Sequence, residues 1–198
     1  DVPQEFVGDE AHRGDMVWSA AVPEELRSRA TAVIGNFPVS QASQYTRLEW
    51  LQTFSAGVDA YICPGVLPRG TMVTNASGAY GQSVSEHMFA TMWALMKNLN
   101  RYASNQRDHQ WQDEGPVLSP EGGIALIIGV GDIGSHFAQL AQSVGMRTFG
   151  VRRYADVPAK GIEKMYGFER LETLLPLADV VAMAVPRSPQ TPHLLNAD

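Results

Sequence analysis

Cysteine is almost absent from this sequence, and clustered basic residues and long apolar runs are scarce as well. The one cysteine, Cys63, excludes an intrachain disulfide and fits a reducing compartment. With 15 basic and 21 acidic residues, the formal net charge is −6, which disfavours nucleic-acid binding because phosphates are neutralised by clustered Lys and Arg. No apolar run reaches the length of a membrane span, and no signal peptide opens the chain. We therefore expect a cytoplasmic protein that binds a small molecule and neither nucleic acid nor membrane.

The chain does have enough apolar residues to build a core. It has 198 residues, of which 44% are hydrophobic, a length that fits one large domain or two small ones. It starts at Asp1 and stops at Asp198, just after a predicted strand and turn and without a helix to close that unit. We therefore expect a fragment of a longer protein.

The first hundred residues alternate short apolar runs with turn residues, as buried strands of an α/β sheet do. Such runs cover residues 31–35, 48–54 and 71–74. Residues 83–101 differ, because Met and Trp recur there at three- and four-residue steps and predict one long helix. The polar stretch 102–123 ends in two glycines. We therefore predict domains at 1–100 and 124–198, with an interdomain helix or linker at 101–123.

From residue 124 onward, the pattern changes to strand, turn and helix. Strands are predicted at 124–128, 147–151 and 180–185, and helices at 133–144 and around 171–175. Alternating units of this kind specify a parallel sheet with crossover helices. The fold class is therefore α/β, with a Rossmann-type parallel sheet of which the chain holds a part.

A glycine-rich turn, Gly129-Val-Gly-Asp-Ile-Gly134, follows the first of these strands and opens a helix. In such a turn the first glycine makes the bend, the second (Gly131) lets amides approach a pyrophosphate, and the third lets helix and sheet pack closely. The helix N-terminus adds unpaired N–H groups and a partial positive charge. We therefore expect this turn to bind a dinucleotide.

The end of the next strand distinguishes between two dinucleotides. An NAD site normally has Asp or Glu there, to accept hydrogen bonds from the ribose 2′-hydroxyl. This chain has Arg152 and Arg153, whose guanidinium groups cannot accept a hydrogen bond but pair well with a 2′-phosphate. The alternative is that both arginines are solvated side chains on a loop and bind no phosphate. We predict that NADP(H) is the preferred cofactor and that NAD(H) is possible.

Four sequence blocks, taken in order, resemble the D-isomer-specific 2-hydroxyacid dehydrogenases. They are Ser55-Ala-Gly-Val-Asp59, the run 74–80 leading into Ser85-Glu-His87, the glycine turn, and the run 178–191. The resemblance extends over nearly the whole chain from about residue 30. It implies a partial flavodoxin-like substrate domain before the Rossmann domain. It also implies a homodimer that interconverts a 2-oxo acid and a D-2-hydroxy acid by hydride transfer with a nicotinamide cofactor.

The resemblance also assigns site residues. The loop that holds the substrate carboxylate through backbone amides falls on Ala56 and Gly57. The family's usual cofactor-selecting acid falls on Arg152, a departure that agrees with the preference for NADP(H). Trp111 falls where the family often has a tryptophan near the dimer contact. The remaining cofactor contacts implied by the resemblance are Asp132, Ile133, Val185, Pro186 and Arg187.

The resemblance implies that the proton-donating His, its Glu partner and the substrate-binding Arg lie beyond Asp198, so no catalytic residue is predicted in this chain. The histidines present have no orienting partner at a suitable spacing, and no group has metal-ligand spacing. These histidines are His12, His87, His109, His136 and His193. Two alternatives stay open: a corepressor-like module that senses dinucleotide, and an inactive truncated relic.

Overall fold

The computed structural model describes residues 22–186, 191 and 194–196. The contacts of the chain divide it into two compact units, with the division between Ser77 and Gly78. In the part of the chain that the structure describes, no helix is long and apolar enough to span a bilayer.

The first unit contains a parallel three-stranded sheet. Its elements are α1 (Glu24–Arg27), β1 (Ala32–Ile34), a 3-10 helix (Val39–Gln44), β2 (Trp50–Gln52) and β3 (Met72–Thr74). The strand order is β1-β2-β3, and Val33 pairs with Leu51, which pairs with Val73. Each strand lies within one of the apolar runs predicted as strands, and the sheet is parallel as that pattern requires.

One face of this sheet covers a small core that includes three aromatic side chains. The Phe37 and Tyr45 rings stack with centroids 4.3 Å apart, and Tyr61 meets Phe37 edge-on. The Tyr61 hydroxyl accepts a hydrogen bond from the Phe37 N–H at 3.0 Å and donates to the Phe37 carbonyl at 2.5 Å. Leu48 and Leu51 complete the buried cluster together with Ala42. The hydroxyl groups of Tyr45 and Tyr61 thus lie inside the first unit, and burial raises the pKa of both.

The second unit begins with two helices where the sequence predicted one. α2 spans Gly81–Met96 and α3 spans Leu99–Arg107. Between them Asn98 has a φ of 54°, a left-handed conformation that asparagine adopts more readily than most residues and that ends a helix. The apolar stripe predicted for 83–101 therefore runs along α2 and stops at this break.

The sheet of the second unit has four parallel strands in the order β6-β5-β4-β7. They are β4 (Ile124–Ile128), β5 (Arg147–Val151), β6 (Lys164–Tyr166) and β7 (Val180–Met183), with α4 (Asp132–Ser143) and α5 (Leu171–Leu174) between them. This is the 3-2-1-4 order of a Rossmann half, so the predicted α/β class with a Rossmann-type parallel sheet is confirmed. The sequence analysis missed β6, a three-residue strand at the edge of the sheet.

β4 is buried on both faces, which explains its unbroken apolar sequence. Ala125 and Ile127 pack with α2 and α4 in one cluster, whereas Leu126 and Ile128 pack with α5 in another. These four side chains are completely inaccessible to solvent. The packing of β4 therefore fixes the position of Gly129, the residue that follows the strand.

The division of the chain differs from the domain limits predicted at residues 100 and 123. α2 was assigned to the first domain, but it belongs to the second unit because it packs along α4. Met92 and Met96 of α2 are buried against Phe137 and Ala141 of α4. The polar composition of 102–123 marks an irregular segment inside the second unit, not the division between the units.

Candidate cofactor site

The glycine turn lies at the carboxyl end of β4. Gly129 has a φ of +92°, which an L side chain rarely adopts. A Cβ on Gly129 would lie 2.5 Å from the Ala184 carbonyl oxygen, so the strand exit after β7 leaves no room for a side chain. The Gly129 N–H donates to the Val151 carbonyl at 2.8 Å. The turn is thus held between the ends of β5 and β7.

The other two glycines of the turn have opposite surroundings. A Cβ on Gly134 would lie 2.2 Å from the Gly129 carbonyl oxygen, so α4 packs directly on the turn. A Cβ on Gly131 would meet nothing within 4 Å, and its φ of −100° is open to other residues. The fold itself therefore does not require glycine at 131. A bare backbone next to open space is the cradle that a pyrophosphate needs.

α4 begins directly after this space. Gly131 is its N-cap residue, and no side chain caps the helix there. The first-turn N–H groups, which include those of Asp132 and Ile133, have no partner inside the helix. The Asp132 side chain is packed against Gly81 of α2 and has the His136 ring 3.3 Å from its carboxylate. The helix end therefore leaves its amides to an anion, and the one acidic side chain in its first turn is held by neighbouring groups.

The second residue of the turn, Val130, is anchored to β5. It is 6% exposed, and a Cβ on Gly150 would lie 2.7 Å from its Cγ2 atom. Arg152 also reaches Val130, because one guanidinium nitrogen donates to the Val130 carbonyl at 3.4 Å. The sequence analysis assigned no role to Val130 or Gly150. The sequence did contain a signal for this contact: Gly150 lies inside a predicted strand, and a glycine there often marks the close approach of another part of the backbone.

The two arginines after β5 have different surroundings. Arg152 is half-buried, and its guanidinium donates to the carbonyls of Val130, Tyr154 (2.9 Å) and Val157. Arg153 is exposed. Of the pair predicted to contact a 2′-phosphate, Arg152 is therefore engaged with backbone carbonyls.

The predicted contacts after β7 are described in part. Val185 lies against the turn, since its Cγ1 atom would be 2.8 Å from a Cβ on Gly129. The Ala184 N–H donates to the Ile128 carbonyl at 2.8 Å, which holds this exit beside β4, and Pro186 is exposed. Arg187 lies outside the described residues. The described members of the predicted cofactor set thus lie at the carboxyl ends of β4, β5 and β7, where open α/β sheets bind ligands.

The predicted substrate loop belongs to the first unit, after β2. Ala56 and Gly57 are exposed, and their N–H groups make no hydrogen bond among residues 22–186. Their carbonyls are occupied: Ala56 accepts from the Asn75 side chain at 2.6 Å, and Gly57 accepts from the Ser55 hydroxyl at 2.8 Å. Fixing the carbonyls in this way leaves the amides for an anion.

Comparison with known proteins decides the family. The family model described as "D-isomer specific 2-hydroxyacid dehydrogenase, NAD binding domain" matches residues 89–198, more than half of the chain. The chain belongs to the D-isomer-specific 2-hydroxyacid dehydrogenases. The resemblance of the four sequence blocks is thereby confirmed.

Individual members of this dehydrogenase family match over most of the chain. Glycerate dehydrogenase of Methylorubrum extorquens is 25% identical over 186 residues, covering 89% of this chain and 56% of its own. A solved family protein of Aeromonas salmonicida is 29% identical with a TM-score of 0.77, covering 86% and 55%. D-lactate dehydrogenase of Aquifex aeolicus, solved with NAD and lactic acid, is 24% identical with a TM-score of 0.72, covering 87% and 53%. The chain therefore spans about half the length of these dehydrogenases.

Three histidines of the chain are described, and the His136 ring lies 3.3 Å from the Asp132 carboxylate, an i,i+4 pair that the sequence analysis did not assign. The His136 Nδ1 atom lies 2.8 Å from the Asp132 carbonyl oxygen within α4, and His87 and His109 are exposed. His12 and His193 lie outside the described residues. Within the described ranges, no three His, Cys, Asp or Glu side chains come together to hold a metal.

Proposed function

We propose that this chain supplies the cofactor-binding part of a reductase that interconverts a 2-oxo acid and a D-2-hydroxy acid with NADP(H). The observation that carries the proposal is the open space at Gly131, in front of the uncapped N-terminus of α4. Backbone amides and the helix dipole would hold the pyrophosphate there, with Gly129 and Gly134 setting the turn. When bound, the nicotinamide supplies or accepts the hydride.

The preference for NADP(H) rests on the charge at the end of β5. Arg153 is exposed in the segment after β5, and a guanidinium is a strong partner for a 2′-phosphate. No carboxylate follows Val151 in the position that would accept hydrogen bonds from a 2′-hydroxyl. The alternative is NAD(H), which the Aquifex aeolicus enzyme was solved with.

The proposed substrate contact is the loop at Ala56 and Gly57. Their amides would bind the carboxylate of the 2-oxo acid, since small residues leave N–H groups accessible to an anion. We propose no proton donor among His87, His109 and His136. In line with the resemblance, the acid, its glutamate and the substrate arginine are assigned to positions after Asp198.

We also propose that the protein is a cytoplasmic homodimer. Trp111 is fully exposed in the segment after α3, and a large exposed aromatic side chain is typical of an interface. Sedimentation of the wild-type chain and of Trp111→Ala tests this. We expect a dimer for the first and a monomer for the second, and a monomeric wild type would refute the proposal.

Cofactor binding is tested by titrating the chain with NADPH and NADH in a calorimeter. We expect both to bind, NADPH more tightly. Arg153→Ala should weaken NADPH binding by roughly 1–3 kcal/mol, the scale of hydrogen bonds to charged groups, and leave NADH unchanged. Arg107→Ala is the matched control, because Arg107 is an exposed arginine on α3. Equal losses for the two dinucleotides in Arg153→Ala would contradict the preference, and no binding of either would contradict the proposed function.

A further inference from the structure

An acidic side chain lies in the first turn of α4, the helix whose N-terminus is proposed to bind the pyrophosphate. Asp132 is the first residue of this helix. A carboxylate and a pyrophosphate are both negatively charged, so an uncompensated charge on Asp132 would weaken dinucleotide binding. The surroundings of this carboxylate therefore decide how well the helix end can bind an anion.

The Asp132 side chain lies against the beginning of α2. A Cβ on Gly81, the first residue of α2, would lie 2.5 Å from the Asp132 Oδ2 atom and closer still to Oδ1. The carboxylate therefore fills the place where any other residue at 81 would have its side chain. Gly81 is buried, and its φ is not in the left-handed range. Its backbone conformation thus does not require glycine, whereas the position of the carboxylate does.

The beginning of α2 is electrostatically suited to a carboxylate. The first four N–H groups of an α-helix have no partner inside the helix, and together they carry a partial positive charge. The first turn of α2 contains Gln82 and Ser83 and no acidic residue of its own. The His136 Nδ1 atom is a further polar neighbour, 3.3 Å from the Asp132 Oδ1 atom. The carboxylate therefore lies where a negative charge is stabilised.

We propose that the N-terminus of α2 compensates the charge of Asp132, and that Gly81 is the positioning residue that makes room for this contact. The proposal rests on the proposed function, since it explains how a pyrophosphate site tolerates an acidic residue in its own helix. One carboxylate thus joins the beginnings of two helices. The backbone N–H groups of α4 then remain for the dinucleotide.

Gly81→Ala is the variant that disturbs this contact. Its methyl group would collide with the carboxylate and displace it from the end of α2, which leaves the negative charge beside the glycine turn without compensation. We expect NADPH and NADH binding to weaken by the same factor, about tenfold, because the pyrophosphate is common to both. Gly123→Ala is the matched control, since a Cβ there would lie 3.2 Å from the Asp179 carboxylate, just before β4 and thus at the opposite edge of the sheet. It should leave both affinities unchanged.

Substitutions of Asp132 separate its charge from the space that it fills, in two double-mutant cycles. Asp132→Asn keeps the volume and removes the charge. In this background Gly81→Ala should still lower the melting temperature, but it should change both affinities by less than about twofold. Asp132→Ala removes charge and volume together. There Gly81→Ala should neither destabilise the protein nor weaken binding, because alanine is a better helix former than glycine once the space is free.

Calorimetric titration with NADPH and NADH, together with thermal unfolding, measures both quantities for each variant. An equal loss of affinity from Gly81→Ala in the wild type and in Asp132→Asn would assign the loss to a shifted helix and overturn the proposal. Unchanged binding in Gly81→Ala would overturn it as well. Should the wild type bind neither dinucleotide, the proposed function fails. The unfolding measurements then still test the contact, since an equal cost of Gly81→Ala in the wild type and in Asp132→Ala would refute it.

Discussion

The two units use the same parallel α/β arrangement but bury their sheets to different extents. In the second unit, Ile127 and Ile128 on β4 are both 0% exposed, so both faces of that strand are covered. In the first unit, Ile34 and Met72 are 66% and 63% exposed on the face opposite the core. The described part of the first sheet is therefore covered on one face, and the second on both.

This difference determines how each candidate site is held. The glycine turn is fixed by close packing, because Ala184 and Val185 leave no space for a side chain at Gly129 and Val130 leaves none at Gly150. The substrate loop is fixed by hydrogen bonds with polar side chains: Asn75 donates to the Ala56 carbonyl, and the Phe54 N–H donates to the Asn36 side-chain oxygen. We expect the first to resist local opening more than the second.

The largest expected effect comes from substitutions that leave a cavity in the core of each unit. Leu126→Ala and Leu51→Ala remove equally inaccessible side chains, and each should lower the free energy of unfolding of its unit by about 2–5 kcal/mol. Leu126→Ala should also weaken NADPH binding, whereas Leu51→Ala should leave it unchanged. Denaturant unfolding followed by residue-resolved hydrogen exchange, together with calorimetric titration, measures both. Loss of NADPH binding in Leu51→Ala would show that the units do not fold independently.

Next in size is a pair of glycine variants in the turn. Gly129→Ala combines a strained positive φ with a clash at Ala184, so we expect it to cost about 3 kcal/mol of stability. Gly131→Ala meets open space and should change stability by less than about 0.5 kcal/mol while weakening dinucleotide binding about tenfold. Thermal unfolding and titration separate these outcomes. Tight binding by Gly131→Ala would argue against a pyrophosphate at this place.

A smaller effect is expected in the substrate loop. Asn36→Ala removes one hydrogen bond to the Phe54 N–H and one to the Ser55 hydroxyl, and should cost about 1 kcal/mol. Hydrogen exchange of the Phe54 amide should become faster, with no change at the Gly129 amide. Unchanged exchange at the loop would show that the polar side chains do not hold it.

The smallest effect concerns pH. The Arg147 guanidinium, 2.7 Å from the Glu163 carboxylate, lowers the pKa of Glu163 below its usual value. The pair therefore stabilises the second unit above the usual carboxyl pKa and loses this contribution as the pH falls through the lowered value. Arg27 in the first unit pairs with the neutral Gln44 instead. Glu163→Gln should flatten the acid side of the stability profile slightly, an effect weakened by salt, whereas Gln44→Ala should shift stability equally at all pH values.

Much of the second unit was predictable because its local signals agree with its tertiary structure. The apolar run 124–128 and the glycine turn after it predicted β4 and α4 within one residue at each end. The break at Asn98 and the edge strand β6 were not predictable in the same way, since each depends on a single backbone conformation or on three half-exposed residues.

The roles within the site were less accessible from the sequence. In the sequence, Arg152 and Arg153 form a single basic pair. Only the fold shows that the Arg152 side chain turns back and binds backbone carbonyls. Gly131 and Gly134, in contrast, were given different roles from the motif alone, and in the structure one faces open space and the other faces the Gly129 carbonyl. The spacing of the residues is known from the sequence, whereas the direction of each side chain depends on the residues that pack around it.

The contact between Arg152 and the glycine turn has an evolutionary consequence. Arg152 donates to the Val130 carbonyl, so a side chain that follows β5 is attached to the backbone of the glycine turn. A lineage that exchanges the residue at 152 therefore changes the support of the turn in the same mutational step.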